Sequence, residues 1–387
     1  MRTIKVLEVI DKTFLGGGQK NLISLVENLD KETFDVSVCS NPKGRLVNKL
    51  EIKNIRHFPV FMSKRFSLKP VREIQEVLRR NKIDIIHTHG GIAGFYGRWA
   101  ARRFKHCAVV HTLHGIHYLN YRNALLKSMY VWIERIFSKF THAVIFVSHA
   151  DKNKGVKYKL ASKEKSKLIE NGIDFTGIPQ TKSKTKNSER KNSVPVIGTV
   201  ARLHRQKNIS LLLQAGARIK NQCPELKVYV VGDGPLRKKL EKQNKKLGTQ
   251  EVISFLGERE DARRIMSEFD IFVLPSLWEG LPYVLLEAAA LKKPVIGTHV
   301  DGIKEMITHE KTGLLVSPEK SDELAEAVLR LVNDRKQAEK LGAAFYQSAQ
   351  RKYSISRMVG KVQDLYVDLF RGRYAGPARE MTFSKRR

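Results

Sequence analysis

Short apolar runs rich in β-branched residues alternate along the chain with longer stretches whose apolar side chains recur at helical spacing, and the alternation restarts once. In the first half the runs are IKVLEVI, FDVSVCS, Asp84 to His87, Ala108 to His111 and Ala143 to Val147. Between them lie helical segments such as QKNLISLVENL, Lys69 to Arg80 and Ala124 to Phe140. Strands this uniformly apolar are buried on both faces, which predicts a parallel sheet covered by crossover helices. From about Phe175 to Ser193 the text turns polar, with QTKSKTKNSERKNS too poor in apolar area to order itself. The pattern then resumes with VPVIGTVA, Ser210 to Asn221, KVYVVGDG, Leu236 to Leu247, VISFLG, Ala262 to Glu268, IFVLP, Val284 to Leu291 and PVIGT, so a second doubly wound sheet is expected. After Lys320 the chain reads as helix through ELAEAVLRLVN, Arg335 to Lys352 and the amphipathic SRMVGKVQDLYVDLF, and the end of the chain has no periodicity.

The resulting division is 1–175 for the first unit, 176–193 for a linker, 194–355 for the second, 356–371 for a terminal helix and 372–387 for a tail. A length of 387 residues suits two domains, and 42% hydrophobic with 28% charged residues is a globular balance. Cys39, Cys107 and Cys223 stand singly, which gives no disulfide framework or paired metal spacing and points to a reducing compartment. The longest apolar run, Leu281 to Leu291, is interrupted by Glu287 and is too short to span a bilayer. MRTIKVLEVIDK carries Glu8 and Asp11, so it reads as a first strand and not as a signal peptide.

Charge changes the picture. The formal net charge is +32, which asks for anionic partners: nucleic acid, lipid head groups or phosphorylated small molecules. The cations are dense between Lys152 and Asn192, but no aromatic side chains are interleaved there as base stacking would require, so nucleic acid is not expected.

Ligands of open parallel sheets bind beyond the carboxyl ends of the strands, and the candidate chemistry falls there. Gly16, Gly17 and Gly18 follow the first strand and open the first helix, where bare backbone could approach an anion. Arg202 ends a strand of the second unit and Lys207 follows in ARLHRQKN, a planar fork and a point charge suited to a diphosphate. Glu279 and Glu287 flank a strand-to-helix turn in IFVLPSLWEGLPYVLLEAAA, and a carboxylate can accept two sugar or ribose hydroxyls. Each feature alone also has an ordinary reading as a turn, a surface cation or a solvated helix residue.

Taken in register, the pieces resemble glycosyltransferase family 4, the retaining nucleotide-sugar transferases of GT-B fold. The likeness spans roughly Met1 to Phe370, and rests on the Glu279/Glu287 pair, ARLHRQKN, VVGDGP at Val230 to Pro235, HEKTGLLV at His309 to Val316 and NGID at Asn171 to Asp174. The resemblance implies two Rossmann-like α/β domains facing across a cleft, with the C-terminal helix packed back on the first. It implies that Arg202 and Lys207 clamp the donor diphosphate, that Glu287 holds the ribose and Glu279 the donor sugar, and that His114 touches that sugar. Gly16, Gly17, Gly232, Gly280, Leu281, Tyr283 and Val284 belong by the same likeness to the donor site. Pro282 departs from the glycine of many members and removes a backbone donor. His111 and His114 form an HxxH pair without an apparent third ligand, and neither metal nor cofactor is expected; His87 and His89 read as structural or cleft-lining.

The expected partners are a nucleotide-sugar donor carrying UDP or GDP, and a lipid-linked or lipopolysaccharide-type acceptor in bacterial surface-glycan synthesis. An anionic membrane surface completes the set, placing the protein peripherally on the cytoplasmic face. Arg98, Arg102, Arg103, Lys105, Lys64, Arg65 and Lys69 are the cations expected to meet that surface. A sugar-nucleotide epimerase or hydrolase of the same fold, and a basic lipid- or nucleic-acid-binding protein, remain alternatives at this point.

Overall fold

The computed structural model describes residues 2–14, 16–63, 65–176 and 194–374; most of the polar linker, the tail from 375 onward, Leu15 and Lys64 lie outside the described residues. The first sheet is built from β1 (Ile4–Ile10), β2 (Phe34–Ser40), β3 (Arg56–Pro59), β4 (Ile85–His89), β5 (Ala108–Leu113), β6 (Ala143–Phe146) and β7 (Ser166–Leu168). Every pairing is parallel and the order is β3-β2-β1-β4-β5-β6-β7. The crossovers are α1 (Gly17–Asn28), α2 (Arg45–Ile52), α3 (Lys69–Asn81), α4 (Gly91–Ala101), α5 (Ala124–Ser138) and α6 (His149–Lys157). The second sheet, β10-β9-β8-β11-β12-β13, uses β8 (Val196–Val200), β9 (Lys227–Val231), β10 (Ile253–Gly257), β11 (Ile271–Leu274), β12 (Val295–Thr298) and β13 (Leu314–Val316). Its helices are α7 (Ile209–Gln222), α8 (Arg237–Lys246), α9 (Ala262–Ser267), α10 (Tyr283–Ala290), α11 (Asp301–Met306), α12 (Ser321–Asn333) and α13 (Arg335–Lys352).

Both sheets reverse their strand order at one point, between β1 and β4 in the first and between β8 and β11 in the second. A reversal splays the flanking loops apart and opens a crevice at the strand ends. The segments leaving these four strands carry Gly16 to Gly18, His89 with Gly90, Arg202 to Lys207, and Ser276 to Glu279. The expected site residues are therefore placed by topology before any side-chain contact is considered.

The last helix, α14 (Ile355–Tyr374), leaves the second unit and lies on the first. Met358, Val359, Val362, Leu365 and Tyr366 pack in one cluster with Ile4, Val6, Ile85, Val110 and Ile145 of the first sheet. Each side chain so buried contributes about 1.5–3 kcal/mol, enough together to hold a helix that the sequence could only describe as amphipathic. A polar anchor completes the seat. The Tyr366 hydroxyl donates to Glu8 Oε1 at 2.7 Å and accepts from His87 Nδ1 at 2.5 Å, all three groups being buried.

Arg98 corrects an expectation. It faces no lipid: it is fully buried, donates from Nε to the Gly94 carbonyl at 2.8 Å, and grips Glu134 with both terminal nitrogens at 2.9 and 3.0 Å. A guanidinium can be buried here because a carboxylate from α5 neutralises it and because Nε and one terminal nitrogen are hydrogen-bonded. Arg102, Arg103, Lys105, Arg65 and Lys69 are exposed. No helix among the described residues is long and apolar enough to cross a membrane.

Replacing Tyr366 with Phe keeps the ring and removes both hydrogen bonds, leaving Glu8 and His87 each short of a buried partner. We expect a loss of about 1–3 kcal/mol in urea unfolding. An unchanged midpoint would show that apolar packing alone holds α14.

Candidate active site

The turn between β11 and α10 is the most tightly specified part of the cleft. Glu279 is buried there; its Oε1 accepts from Ser276 Oγ at 2.7 Å and is paired with Lys207 Nζ, while Oε2 accepts from Gln206 Nε2 at 3.2 Å. Gln206 also donates to the Trp278 carbonyl at 2.9 Å, and the Leu277 amide returns a bond to the Gln206 carbonyl at 2.8 Å. The loops leaving β8 and β11 are thus stitched together, so Lys207 and Glu279 form one fixed ion pair at the switch point. Burying either charge singly would be costly, which is why each is found with the other.

Glu287, buried on the first turns of α10, is held differently. Lys20 of α1 approaches its Oε1 at 2.5 Å and Arg263 of α9 approaches the same oxygen at 3.4 Å. Its contacts thus converge on one oxygen and come from both halves of the chain. Arg202 sits with its guanidinium 5.6 Å from the centre of the Phe14 ring, whose neighbourhood also holds Lys12 at 5.6 Å. Lys20, Lys207 and Arg263 thus contact the two carboxylates while Lys12 and Arg202 flank Phe14, and of these five cations only Arg202 and Lys207 were singled out from sequence.

The remaining expected residues fall around this centre in different ways. Gly17 and Gly18 form the first turn of α1 with Gly16 as its cap, and Gln19 Oε1 accepts from the Gly16 amide at 3.1 Å. A Cβ at Gly17 would lie 3.6 Å from the Tyr283 ring, and one at Gly18 3.2 Å from the His114 ring, so α1 begins against both. Gly232 serves a backbone role: with φ at +128°, a Cβ there would stand 2.1 Å from the Ala201 carbonyl oxygen, so only glycine lets β9 pass this close to the segment leaving β8. Leu281 and Tyr283 turn their side chains into the core, so they can serve a ligand only through backbone. The free amides at the start of α10, where Pro282 is the cap, are those of Tyr283 and Val284. A Cβ at Gly280 would meet Gly115 Cα and Asp151 Oδ2 at 3.1 Å, which brings the loop after β5 and the start of α6 against the Glu279 turn.

The four histidines do not share one centre. His111 points inward to Thr88, its Nδ1 lying 2.8 Å from the hydroxyl and 3.1 Å from the carbonyl oxygen. His114 Nε2 lies 2.9 Å from His89 Nδ1, and His89 Nε2 lies 2.6 Å from Glu8 Oε2. The HxxH pair is thus split between the core and the cleft. Glu8, His87 and His89 stand close enough together to resemble a metal set. Every candidate ligand atom in it already has a hydrogen-bond partner, however, with Thr112 taking His87 Nε2 at 2.7 Å. Burial opposes the Glu8 charge, but His87 and His89 outweigh it and hold the carboxyl well below its usual range. Burial lowers His89 to about 4 and keeps His114 well below ordinary imidazole. With Glu8 charged, His89 must present its proton at Nε2, which makes His89 Nδ1 an acceptor and His114 Nε2 the donor. His114 Nδ1 is left bare, and it is buried without a partner.

Sequence reasoning did not find Asn171's task or Asp151. Asn171 Nδ2 donates to the Leu281 carbonyl at 2.8 Å while its oxygen accepts from Asn21 of α1 at 3.1 Å, tying NGID to the donor turn. Gln206 and Ser276 carried no signal beyond adjacency to ARLHRQKN and the Glu279 turn.

Three comparisons bear on this geometry. Residues 15–176 match the family described as Glycosyltransferase Family 4, and residues 180–348 match Glycosyl transferases group 1. A UDP-Gal:alpha-D-GlcNAc-diphosphoundecaprenol alpha-1,3-galactosyltransferase of Escherichia coli is 29% identical over 381 residues, covering 95% of this chain and 97% of that one. An N-acetyl-alpha-D-glucosaminyl L-malate synthase of Bacillus anthracis is 25% identical, covering 82% and 83%. The crystal structure of Anabaena Alr3699/HepE with UDP-glucose superposes with a TM-score of 0.82 at 22% identity over 94% of this chain and 100% of that one, which shows the shared fold.

Asp151 yields a pH prediction. Burial pushes its carboxyl up to about 6, against the pull of Lys154, and its Oδ2 has no partner. Because the native state holds this proton more tightly than an unfolded chain with a carboxyl near 3.9, the group's contribution is most favourable below about pH 4 and is lost as pH rises through 6. Asp151→Asn should therefore stabilise the protein at pH 8 by on the order of 2–3 kcal/mol, with the gain vanishing near pH 4. Thermal melts of both proteins across that range check the sign; a constant offset would contradict it.

Proposed function

Because the chain belongs to glycosyltransferase family 4, we propose that it is a retaining transferase carrying a sugar from a UDP-sugar to a lipid-linked acceptor in bacterial surface-glycan synthesis, at the cytoplasmic face of the membrane. The observation that carries the reading is the Lys207–Glu279 pair on the loops leaving the switch-point strands of the second sheet, with Glu287 on the helix that follows and Arg202 on the segment leaving β8. UDP and a polyprenyl diphosphate acceptor are favoured because the Escherichia coli relative is named for both.

The donor lies with its diphosphate between Arg202 and Lys207, its ribose diol on Glu287 and its sugar toward Glu279 and His114. In a front-face reaction the bond from the anomeric carbon to the phosphate oxygen breaks while the acceptor oxygen bonds to the same face of that carbon. The acceptor proton passes to the departing phosphate oxygen, and the two cations stabilise the charge as it grows. Arg202 and Lys207 supply the positive charge the leaving group needs, so we propose that no metal or cofactor takes part; activity retained in EDTA would agree, and loss restored by a divalent cation would overturn that point.

The test is radiolabelled sugar transfer to a prenyl-diphosphate-linked acceptor. Arg202→Ala and Lys207→Ala should each lower kcat/KM by the equivalent of about 2–4 kcal/mol, as removal of one preorganised donor does elsewhere. UDP release without acceptor at the same rate would instead favour the hydrolase or epimerase reading.

The two glutamates should separate by calorimetry. Glu287→Gln is expected to weaken UDP and UDP-sugar alike. Glu279→Gln should spare UDP and weaken the intact donor, and equal losses in both variants would contradict the assignment.

A further inference from the structure

The exposed apolar side chains are clustered. Among the described residues thirteen large hydrophobic side chains are exposed, and six of them, Tyr121, Leu125, Leu126, Met129, Trp132 and Phe140, fall within residues 121–140. Leu125, Met129 and Trp132 stand at i, i+4 and i+7 on α5, 83%, 45% and 63% exposed, so they form one outward stripe. The opposite face, through Val131, Glu134 and Phe137, seats the helix on the fold. Single exposed apolar residues are ordinary, but a stripe running the length of a helix is a surface that something covers.

The charge beside the stripe has one sign. Arg122, Arg135 and Lys139 are the exposed cations of the same segment, Lys127 being turned inward over the Tyr158 ring, and its single acid, Glu134, is spent on buried Arg98. An aromatic seam runs beneath α5: Phe66 packs on Trp99 at 5.7 Å and on Phe95 at 6.4 Å, and Phe95 meets Phe137 on the inward face of α5 at 5.3 Å. Exposed Phe66, next to exposed Arg65, marks the outer end of that seam on the same unit.

We infer that this face docks on an anionic lipid bilayer, with α5 lying in the headgroup plane, its Leu125–Met129–Trp132 stripe inserted and its cations against phosphate. An apolar stripe flanked by cations is the design of an interfacial helix. A second copy fits poorly, because a self-complementary interface would set these cations against their own kind in a chain of net charge +32. The face also stands beside the cleft: from His114 the chain passes a 3-10 turn at His117–Asn120 and enters α5 at Ala124. The inference gives the proposed lipid-linked acceptor its route, and in that respect rests on the transferase reading.

The experiment is sedimentation of the full chain with vesicles of phosphatidylcholine alone and of phosphatidylcholine with phosphatidylglycerol, at low and high salt. Binding is expected to the anionic vesicles, weakened by salt. Leu125→Ser/Met129→Ser/Trp132→Ser should lower the bound fraction at least tenfold while circular dichroism and UDP calorimetry stay unchanged. A second variant, Arg122→Glu/Lys139→Glu, should lower it through charge alone. Wild-type protein that ignores anionic vesicles, or a triple variant that binds as wild type does, would overturn the inference. So would a wild-type dimer that the triple variant converts to monomer, since the stripe would then be an interface between copies. Vesicle binding retained alongside failed donor binding would leave the face standing and remove the transferase reading instead.

Discussion

Too many positive charges meet in the cleft for any of them to be there alone. Lys207 pairs with Glu279, Lys20 and Arg263 approach Glu287, and Arg202 and Lys12 stand over the nearby Phe14 ring; the two carboxylates knit the loops leaving β8 and β11 to each other and α10 to α1. Cations held this close cost free energy unless anions offset them. The two carboxylates offset Lys207, Lys20 and Arg263, while Arg202 and Lys12 have the Phe14 ring beside them. A diphosphate is an anion of the size and charge that such a cluster attracts, so the charge balance that stabilises the loops also selects the ligand.

A second buried charge ties the cleft to the far end of the chain. Glu8 lies on β1, accepts a hydrogen bond from Tyr366 on α14 and another from His89, and His89 in turn fixes the orientation of His114. The C-terminal helix is therefore more than a strap across two sheets. Its packing against Ile4, Val6 and Ile85 and the Tyr366 hydroxyl define the ring orientation of a histidine in the cleft through two intervening side chains.

Much of this was legible in the sequence because it follows from local pattern. Continuous apolar strands and helical periodicity located both sheets, and the helix predicted over Arg335 to Lys352 has those bounds. Short elements with little periodicity were not visible: α2, β3, β7, α11 and β13 are three to eight residues long and owe their form to neighbours. At the site, Arg202, Lys207, Glu279 and Glu287 could be named because charged residues stand beside strand ends. Lys20, Arg263 and Glu8 could not, because their partners are 267, 24 and 81 positions distant, and Asp151 could not, because it meets the turn at Gly280, 280 − 151 = 129 positions on; no spacing rule reaches that far. Arg98 shows the limit from the other side: a basic residue in a basic chain reads as surface until its buried acid is seen.

The two glutamates differ in how much of each carboxylate is already committed, and that difference bears on what each can accept. Glu279 uses both oxygens, one on Lys207 and Ser276 and the other on Gln206. Glu287 places Lys20 and Arg263 on Oε1. A carboxylate with an oxygen in hand can accept a diol without giving up a partner, whereas one bonded at both oxygens must share or release one. On the proposed reading, Glu287 has a whole oxygen for the ribose diol, whereas Glu279 has for a sugar hydroxyl the remaining acceptor site of Oε2 beside Gln206 while Oε1 stays on Lys207 and Ser276.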